Sequence, residues 1–281
     1  MHRDLPESTA QAAKGPIGPR SVVVLAGRRS AADPLAEVAH AAHRALLEIE
    51  GEPMLVRVTR RLLAWPSVER ILINIDTPEL LDSIPPLAEA RDDGRIRILK
   101  STPSPSRSVL ESLDAAGLDD GPVLVTTADH ALLDDQMLDA FFTPSFAGDA
   151  DLCFGLVSRQ AIEARFPAAK RTYLRFRDDA YSGANLFLFR SPESRRAAEF
   201  WRRVENDRKQ PWRIAKSFGL ASLLLFATRR LTLEAAMARA SRVIGAKVEA
   251  IALPMAEAAV DVDKIEDLEL VREILAARRN V

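Results

Sequence analysis

Cysteine is almost absent from this chain of 281 residues, which contains only Cys153. A lone cysteine cannot form an internal disulfide, and without partner cysteines a structural zinc site is not expected either. Cys153 lies within an apolar run, residues 151–157, so we interpret it as a small buried hydrophobic residue in a reducing compartment. This usage of cysteine is typical of a cytoplasmic protein.

An excess of charge of one sign is also lacking, because 39 basic and 40 acidic residues leave a formal net charge of -1. Without a basic field, neither nucleic acid nor an anionic membrane surface is an expected partner. Long apolar runs are missing too, since the hydrophobic stretch 218–227 is about half as long as a membrane span. Residues 1–20 are rich in proline, glycine, serine and alanine, and we expect a flexible tail that is neither a signal peptide nor an anchor.

Several common motifs do not occur. The chain has neither GxGxxG nor GxxxxGK(S/T), which makes a Rossmann-type cofactor site and a P-loop poor explanations of its function. It has no GxSxG, and Cys153 lies in a predicted strand, so the sequence offers no convincing nucleophile for covalent catalysis.

The chain does contain a regular alternation of apolar runs and amphipathic segments. The runs at 21–25, 68–76, 96–99 and 122–126 have the length and composition of buried strands, with helical segments between them. Such alternation at short spacing predicts an α/β fold with a mainly parallel sheet. We expect residues 21–281 to form one domain, with a helical insertion around 191–245.

Small and charged residues follow the first of these strands. Ala26, Gly27, Arg28 and Arg29 come directly after Leu25, and glycine lets the backbone turn sharply and approach a ligand closely. Exposed backbone amides and two arginines are suited to cradling phosphates. An ordinary turn with solvated arginines is the alternative interpretation.

An aspartate, Asp129, follows the strand at 122–126. Ligands of open α/β sheets bind beyond the carboxyl ends of central strands, and a cation that carries nucleotide phosphates prefers oxygen ligands. We therefore predict that Asp129 binds metal; alternatively, it caps the helix expected at 134–142. The neighbouring His130 is a candidate to assist the metal, although histidines in this position are more often packing residues.

Two further aspartates lie near the carboxyl terminus. In a strand, Asp261 and Asp263 would point to the same face, which is costly unless a cation or water offsets their repulsion. They are candidates for further metal ligands, and two solvated acids at a sheet end are the alternative. Asp267 is expected to cap the last helix, 268–278.

Two segments of small polar residues complete the candidate site. A hydroxyl-rich loop enters a helix near Ser106 and Ser108, which offer oxygens and backbone amides to a base or phosphate, or serve as the N-cap. Later in the chain, Gly183 permits close approach of a ligand, and Asn185 both donates and accepts hydrogen bonds. A β-bulge or a tight corner is the alternative for Gly183.

Four short segments resemble one known family: 25–29 (Leu-Ala-Gly-x-Arg), 44–55 (a basic residue before Ala-Leu-Leu, then Gly-x-Pro-Met-Leu), 126–133, and 261–268 (Asp-x-Asp-x-x-x-Asp-Leu). They are similar to the sugar-1-phosphate and molybdenum-cofactor type nucleotidyltransferases, the MobA-like NTP-transferase superfamily. The resemblance implies a Rossmann-like three-layer sandwich with a mainly parallel mixed sheet, of the nucleotide-diphospho-sugar transferase (GT-A-like) type.

The resemblance also implies which residues act. A lysine of the family contacts the nucleotide phosphates, and Arg44 stands at that position, which keeps the charge but changes the contact geometry. The implied catalytic residues are Arg29, Arg44 and Asp129. The implied metal ligands are Asp129 and Asp263, with Asp261 in reserve. The implied nucleotide-binding residues are Leu25, Ala26, Gly27, Arg28, Ser106 and Ser108, and the implied acceptor-binding residues are Gly183 and Asn185.

The implied activity is transfer of a nucleoside monophosphate from an NTP to a phosphorylated small molecule, with Mg²⁺ or Mn²⁺ as cofactor and pyrophosphate as second product. We expect a monomer or a homodimer. A glycosyltransferase of the same fold is one alternative, but such enzymes generally have Asp-x-Asp where this chain has Thr127-Ala128-Asp129. A non-catalytic nucleotide-binding module is the other alternative, favoured by arginine in place of the family's lysine.

Overall fold

The computed structural model describes residues 17–28, 33–169, 171–206 and 220–279. Their centre is an eight-stranded sheet with packed cores on both faces, which confirms the expected α/β sandwich. Val22 and Val24 pack into one core, whereas Val23 between them packs into the other. Because successive side chains of a strand point to opposite faces, this alternation reflects a sheet that is covered on both sides.

The strands within the described residues are β1 (Ser21–Leu25), β2 (Glu48–Ile49), β3 (Glu52–Pro53), β4 (Arg70–Ile75), β5 (Ile96–Lys100), β6 (Val123–Thr127), β7 (Leu152–Ser158), β8 (Leu174–Arg175), β9 (Ala180–Phe189) and β10 (Val248–Leu253). The four apolar runs predicted as buried strands form β1, β4, β5 and β6. Cys153 is fully buried in β7, as expected.

The main sheet has the order β5-β4-β1-β6-β9-β7-β10. Neighbours in this order are parallel, except that β9 runs antiparallel to both β6 and β7. The two-residue strand β8 pairs antiparallel with the beginning of β9. Strands β2 and β3 form a separate small hairpin. The predicted mainly parallel mixed sheet is therefore confirmed.

The helices within the described residues are α1 (Pro34–Val38), α2 (Met54–Ala64), α3 (Pro85–Asp92), α4 (Pro105–Ala116), α5 (Asp135–Ala147), α6 (Arg159–Arg165), α7 (Arg195–Asn206), α8 (Leu220–Ala227), α9 (Leu233–Ile244) and α10 (Ile265–Arg279). Helices α7, α8 and α9 lie in the segment expected to be a helical insertion, of which residues 207–219 lie outside the described part. None of the helices described is both long enough and apolar enough to cross a membrane.

The start of α4 differs from the expectation. Its N-cap is Ser104, whose hydroxyl accepts a hydrogen bond from the backbone N–H of Arg107 at 3.2 Å. Ser106 or Ser108 as the N-cap is therefore wrong. Pro105 explains the difference, since proline is favoured at the first helical position and sets the start of the helix immediately after Ser104.

One edge of the sheet collects the segments that the sequence marks as functional. The carboxyl ends of the parallel strands β1, β4, β5 and β6 meet there, and the antiparallel β9 brings its beginning to the same edge. Residues 260–263, which follow β10 and a short 3₁₀ turn at 256–259, also reach this edge. The expectation that Asp261 and Asp263 belong to a strand is wrong, because these residues have no strand partner.

Candidate active site

Asp129 lies just beyond the end of β6, at the junction between the middle and the end of the chain. The Ala128 N–H donates to the Leu25 carbonyl at 2.9 Å, which ties the end of β6 to that of β1. The Val262 N–H donates to the carbonyl of Asp129 at 3.1 Å. Asp129 does not cap α5, whose N-cap is Asp134.

Three aspartates form an acidic cluster at this point. Asp129, Asp261 and Asp263 each offer a carboxylate oxygen, and the three oxygens lie within 4.8 Å of one another. The hydrogen bond to Val262 accounts for the arrangement, because it fixes the backbone between the two later aspartates against that of Asp129. The structure thus brings together the three residues predicted as metal ligands.

Arg44 enters this cluster from a different part of the chain. It begins a 3₁₀ turn at 44–46, and one terminal nitrogen donates to the Val262 carbonyl at 2.6 Å and to the Asp263 carboxylate. The same nitrogen lies 4.0 Å from Asp129 Oδ2. Arg44 is therefore placed where a cation would offset the charge of the acidic cluster.

A second arginine, Arg171, faces the cluster and was missed in the sequence. Its Nη1 donates to Asp261 at 2.6 Å, and its Nη2 lies 3.1 Å from Asp267, whose carboxylate also accepts from the N–H groups of Asp263 and Lys264. The Arg171 side chain is only 9% exposed. No motif surrounds Arg171, so only tertiary contacts reveal it.

The electrostatics of the cluster favour an added cation. Among the described residues, four carboxylates, including Asp267, face the two guanidiniums of Arg44 and Arg171, so the negative charges outnumber the positive ones by two when all groups are ionised. Burial, together with the carboxylates of Asp261 and Asp263, raises the pKa of Asp129 above its usual value. A bound cation would reverse this shift, since it stabilises the ionised form.

The donor set fits a hard divalent ion. Oδ1 of Asp129 is buried and has no hydrogen-bond partner in the described part of the chain, so it is available to coordinate an ion. All three ligand candidates are carboxylate oxygens, which Mg²⁺ and Mn²⁺ accept, and within the described residues no cysteine or histidine joins the cluster. His130 is buried, but it does not belong to the group.

The loop after β1 lies close to the ends of β4 and β5. Leu25 ends β1, the Ala26 N–H is bonded to the Asn74 carbonyl at 2.8 Å, and a Cβ on Gly27 would lie 3.0 Å from the Ser101 hydroxyl oxygen. A side chain at position 27 would crowd Ser101 just beyond the end of β5, which favours glycine there. Arg29 lies outside the described residues.

The backbone N–H and the guanidinium of Arg28 are both hydrogen-bonded to another side chain. Its backbone N–H and its Nε both donate to Asp76, at 3.1 and 2.8 Å, and Asp76 also contacts His43 Nε2 at 2.9 Å. Asp76 and His43 were missed in the sequence, although an aspartate directly after β4 repeats the placement of Asp129 after β6. The predicted phosphate loop and the Arg44 turn thus share one carboxylate.

The two serines predicted to bind nucleotide are buried in the first turn of α4. The Ser108 hydroxyl accepts from the Thr102 N–H at 2.8 Å, and the Ser106 hydroxyl lies 3.2 Å from that of Ser104. The Ser106 N–H donates to the Glu205 carboxylate at 3.1 Å. This helix end therefore already has a carboxylate partner from α7.

The predicted acceptor residues lie at the beginning of β9. Phe187 is the first residue of β9 that pairs with β6, opposite Val125, so Gly183 and Asn185 precede this pairing and lie towards the end of β6 and Asp129. The pairing with β7 shifts register between Phe187 and Gly183, and Asn185 within this bulge has a φ of 50°. A Cβ at Gly183 would meet no atom of the described residues within 4 Å, which leaves open space beside it in that part of the structure.

The sequence profile of the MobA-like NTP transferase domain matches residues 22–163. The chain belongs to this family. The matched region of this MobA-like chain includes β1, the Arg44 turn and Asp129, whereas Asp261 and Asp263 lie beyond it. No curated protein sequence matches the chain.

Three solved structures are similar to this MobA-like chain. A hypothetical transferase from Thermus thermophilus is 31% identical, with a TM-score of 0.71, over 88% of this chain and 98% of that one. CMP:2-keto-3-deoxy-manno-octonic acid synthetase complexed with CTP is 14% identical, with a TM-score of 0.51, over 92% and 99%. 4-Diphosphocytidyl-2C-methyl-D-erythritol synthase from Anaerococcus prevotii is 12% identical, with a TM-score of 0.53, over 91% and 97%. The last two share the fold.

Proposed function

We propose that this MobA-like protein is a metal-dependent nucleotidyltransferase, which moves a nucleoside monophosphate from an NTP to a phosphorylated small molecule and releases pyrophosphate. The observation that carries the proposal is the cluster of Asp129, Asp261 and Asp263 beside Arg44, at the carboxyl edge of a parallel sheet. Nucleotidyl transfer requires concentrated positive charge at the phosphates. A metal ion held by these carboxylates, together with Arg44, would supply that charge.

Asp129 and Asp263 would hold Mg²⁺ or Mn²⁺, with Asp261 as a further ligand. Such an ion would neutralise phosphate charge and polarise the α-phosphate. Arg44, and Arg29 outside the described residues, would offset charge on the β- and γ-phosphates. The loop from Leu25 to Arg28 and the start of α4 at Ser106 and Ser108 would line the nucleotide side.

The transfer needs little acid-base chemistry from the protein. An oxygen of the acceptor phosphate attacks the α-phosphorus and forms a new P–O bond, while the bond from the α-phosphorus to the bridging oxygen breaks and pyrophosphate leaves with the electron pair. The acceptor phosphate is already ionised near neutral pH, so the protein mainly binds and orients the two reactants. Gly183 and Asn185 would contact the acceptor from β9, and the open space beside Gly183 supports this assignment.

Pyrophosphate release with each of the four NTPs and a panel of sugar and polyol phosphates tests the proposal, in the presence of Mg²⁺, Mn²⁺ or a chelator. CTP should be the first donor tested, because one protein of the same fold is bound to CTP. We expect turnover with one NTP that a chelator abolishes.

Three outcomes separate the proposal from its alternatives. Turnover that withstands the chelator would argue against the acidic cluster as a metal site. Glycosyl transfer from a nucleotide-sugar, without pyrophosphate release, would favour the glycosyltransferase. Nucleotide binding without turnover of any donor would favour a non-catalytic binding module, for which the contact of Arg44 with the acidic cluster is an argument.

A further inference from the structure

Asp76 uses both of its carboxylate oxygens to join two separate segments. Oδ1 accepts from the Arg28 N–H at 3.1 Å and lies 2.9 Å from His43 Nε2, and Oδ2 accepts from Arg28 Nε at 2.8 Å. Although burial alone would raise the pKa of Asp76, the hydrogen bonds from His43 and Arg28 lower it to about 2. Asp76 is therefore an anion throughout the physiological pH range.

His43 is held in one tautomer by its two contacts. Its side chain is 1% exposed, and Nδ1 accepts a hydrogen bond from the Ala45 N–H at 3.0 Å. Because Nδ1 accepts, the ring proton of the neutral imidazole is on Nε2, and Nε2 donates to Asp76. The ring thus connects the carboxylate to the first turn of the 3₁₀ segment that carries Arg44.

We infer that Asp76 and His43 are positioning residues for the proposed nucleotidyl transfer: Asp76 fixes the loop at Arg28 and, through the His43 ring, the turn that presents Arg44 to the acidic cluster. The inference rests on the proposed function. Neither residue needs to touch the reacting atoms. Each acts by holding two cationic segments at a set distance, which matters because small displacements of charged groups in an active site reduce catalysis strongly.

Two substitutions at position 43 separate positioning from simple packing. His43→Asn keeps an acceptor near Nδ1 for the Ala45 N–H but loses the donor to Asp76, whereas His43→Gln places an amide donor near Nε2. We expect kcat to fall at least about tenfold in His43→Asn and Asp76→Asn, and by clearly less in His43→Gln. The KM for NTP should change less than kcat, because the nucleotide site still exists in these variants.

Ser145→Ala is the control, since it removes a buried hydroxyl that donates to the Phe141 carbonyl at 2.7 Å, beside Cys153 near the amino end of β7 and so at the opposite edge of the sheet from the site. It should lower the melting temperature without changing kcat. If His43→Asn and His43→Gln lose the same fraction of kcat, or lose no more than Ser145→Ala at equal stability, the positioning assignment is overturned.

Amide hydrogen exchange decides the same question without relying on activity. Asp76→Asn should accelerate exchange at Ala45, a residue that Asp76 touches only through the His43 ring. Unchanged exchange at Ala45 would overturn the inference. A wild-type protein that turns over no NTP would refute the proposed function instead, and exchange at Ala45 would still report whether Asp76 holds the Arg44 turn.

Discussion

The backbone N–H of Val262 donates a hydrogen bond to the carbonyl oxygen of Asp129 at 3.1 Å. This bond joins the middle of the chain to its last segment, and the residues on either side of Val262 are the two later aspartates of the acidic cluster. The backbone therefore holds three carboxylates together against their mutual repulsion. That stored repulsion has consequences for stability as well as for ion binding.

Asp129→Asn should separate stability from activity. The amide removes a charge that burial and two neighbouring carboxylates disfavour, so the melting temperature in metal-free buffer should rise. We expect kcat to fall by at least about 100-fold, because the variant loses a ligand for the ion. Glu69→Gln, at the amino end of β4 on the opposite edge, should leave kcat unchanged. Near-normal turnover in Asp129→Asn would contradict the metal assignment.

Arg44→Ala should bind Mn²⁺ more tightly and turn over more slowly. Removal of the guanidinium leaves Asp263 and Asp129 without their nearest cation, so we expect the Kd for Mn²⁺, measured by electron paramagnetic resonance, to fall about tenfold. The kcat should fall because the phosphates lose a partner. Arg61→Ala, which breaks only a surface pair with Asp135, serves as the control. Weaker Mn²⁺ binding in Arg44→Ala would show that the cluster is not the ion site.

Burial of His130 predicts a loss of stability in weak acid. Burial lowers the pKa of His130 from 6.5 to about 4, so the folded state disfavours the proton that the unfolded state takes up. The neutral His130 side chain therefore contributes about 3 kcal/mol to the free energy of unfolding by linkage. This contribution is complete above pH 6.5 and is lost as the pH falls towards 4.

Denaturant unfolding between pH 4 and 7 measures this effect. In His130→Leu the free energy of unfolding should depend less on pH over this range, whereas His40→Asn, at an exposed position with a φ of 52°, should follow the wild type. Parallel curves for wild type and His130→Leu would contradict the assignment.

Asn185 and Gly183 allow acceptor binding to be tested apart from folding. Asn185 has a φ of 50°, so Asn185→Gly should keep the fold, whereas Asn185→Ala should cost about 1 kcal/mol of stability. Gly183→Ala should leave the melting temperature unchanged, since its Cβ meets nothing. If the acceptor occupies this space, Asn185→Gly and Gly183→Ala raise the KM for the acceptor but not for the NTP. An unchanged acceptor KM would place the acceptor elsewhere.

Periodicity and strand composition predicted the fold well. The apolar runs 21–25 and 122–126 form neighbouring parallel strands within one residue of their expected bounds. Because Asp129 follows such a run, its place at the edge of the sheet where the parallel strands end was also predictable. These features succeed because they depend on the local chain and on a general property of parallel sheets.

The side chains that contact the predicted site residues could not be predicted in the same way. Arg171 contacts Asp261, and His43 contacts Asp76, and each pair is distant in sequence. No local pattern distinguishes Arg171 or His43 from ordinary polar residues. The hydrogen bond from the Ser106 N–H to Glu205, 99 positions further along the chain, likewise follows from no local pattern. Tertiary pairing decided each of these cases.

The acidic cluster straddles the limit of the family match, which ends at residue 163, while two of its three carboxylates come from positions 261 and 263. Under the proposed function, a match to the first half of the chain alone therefore covers the sheet and Asp129 but not the other two carboxylates of the proposed metal site. Substitutions at positions 261 and 263 would then remove two of the three proposed ligands while the matched region stayed unchanged.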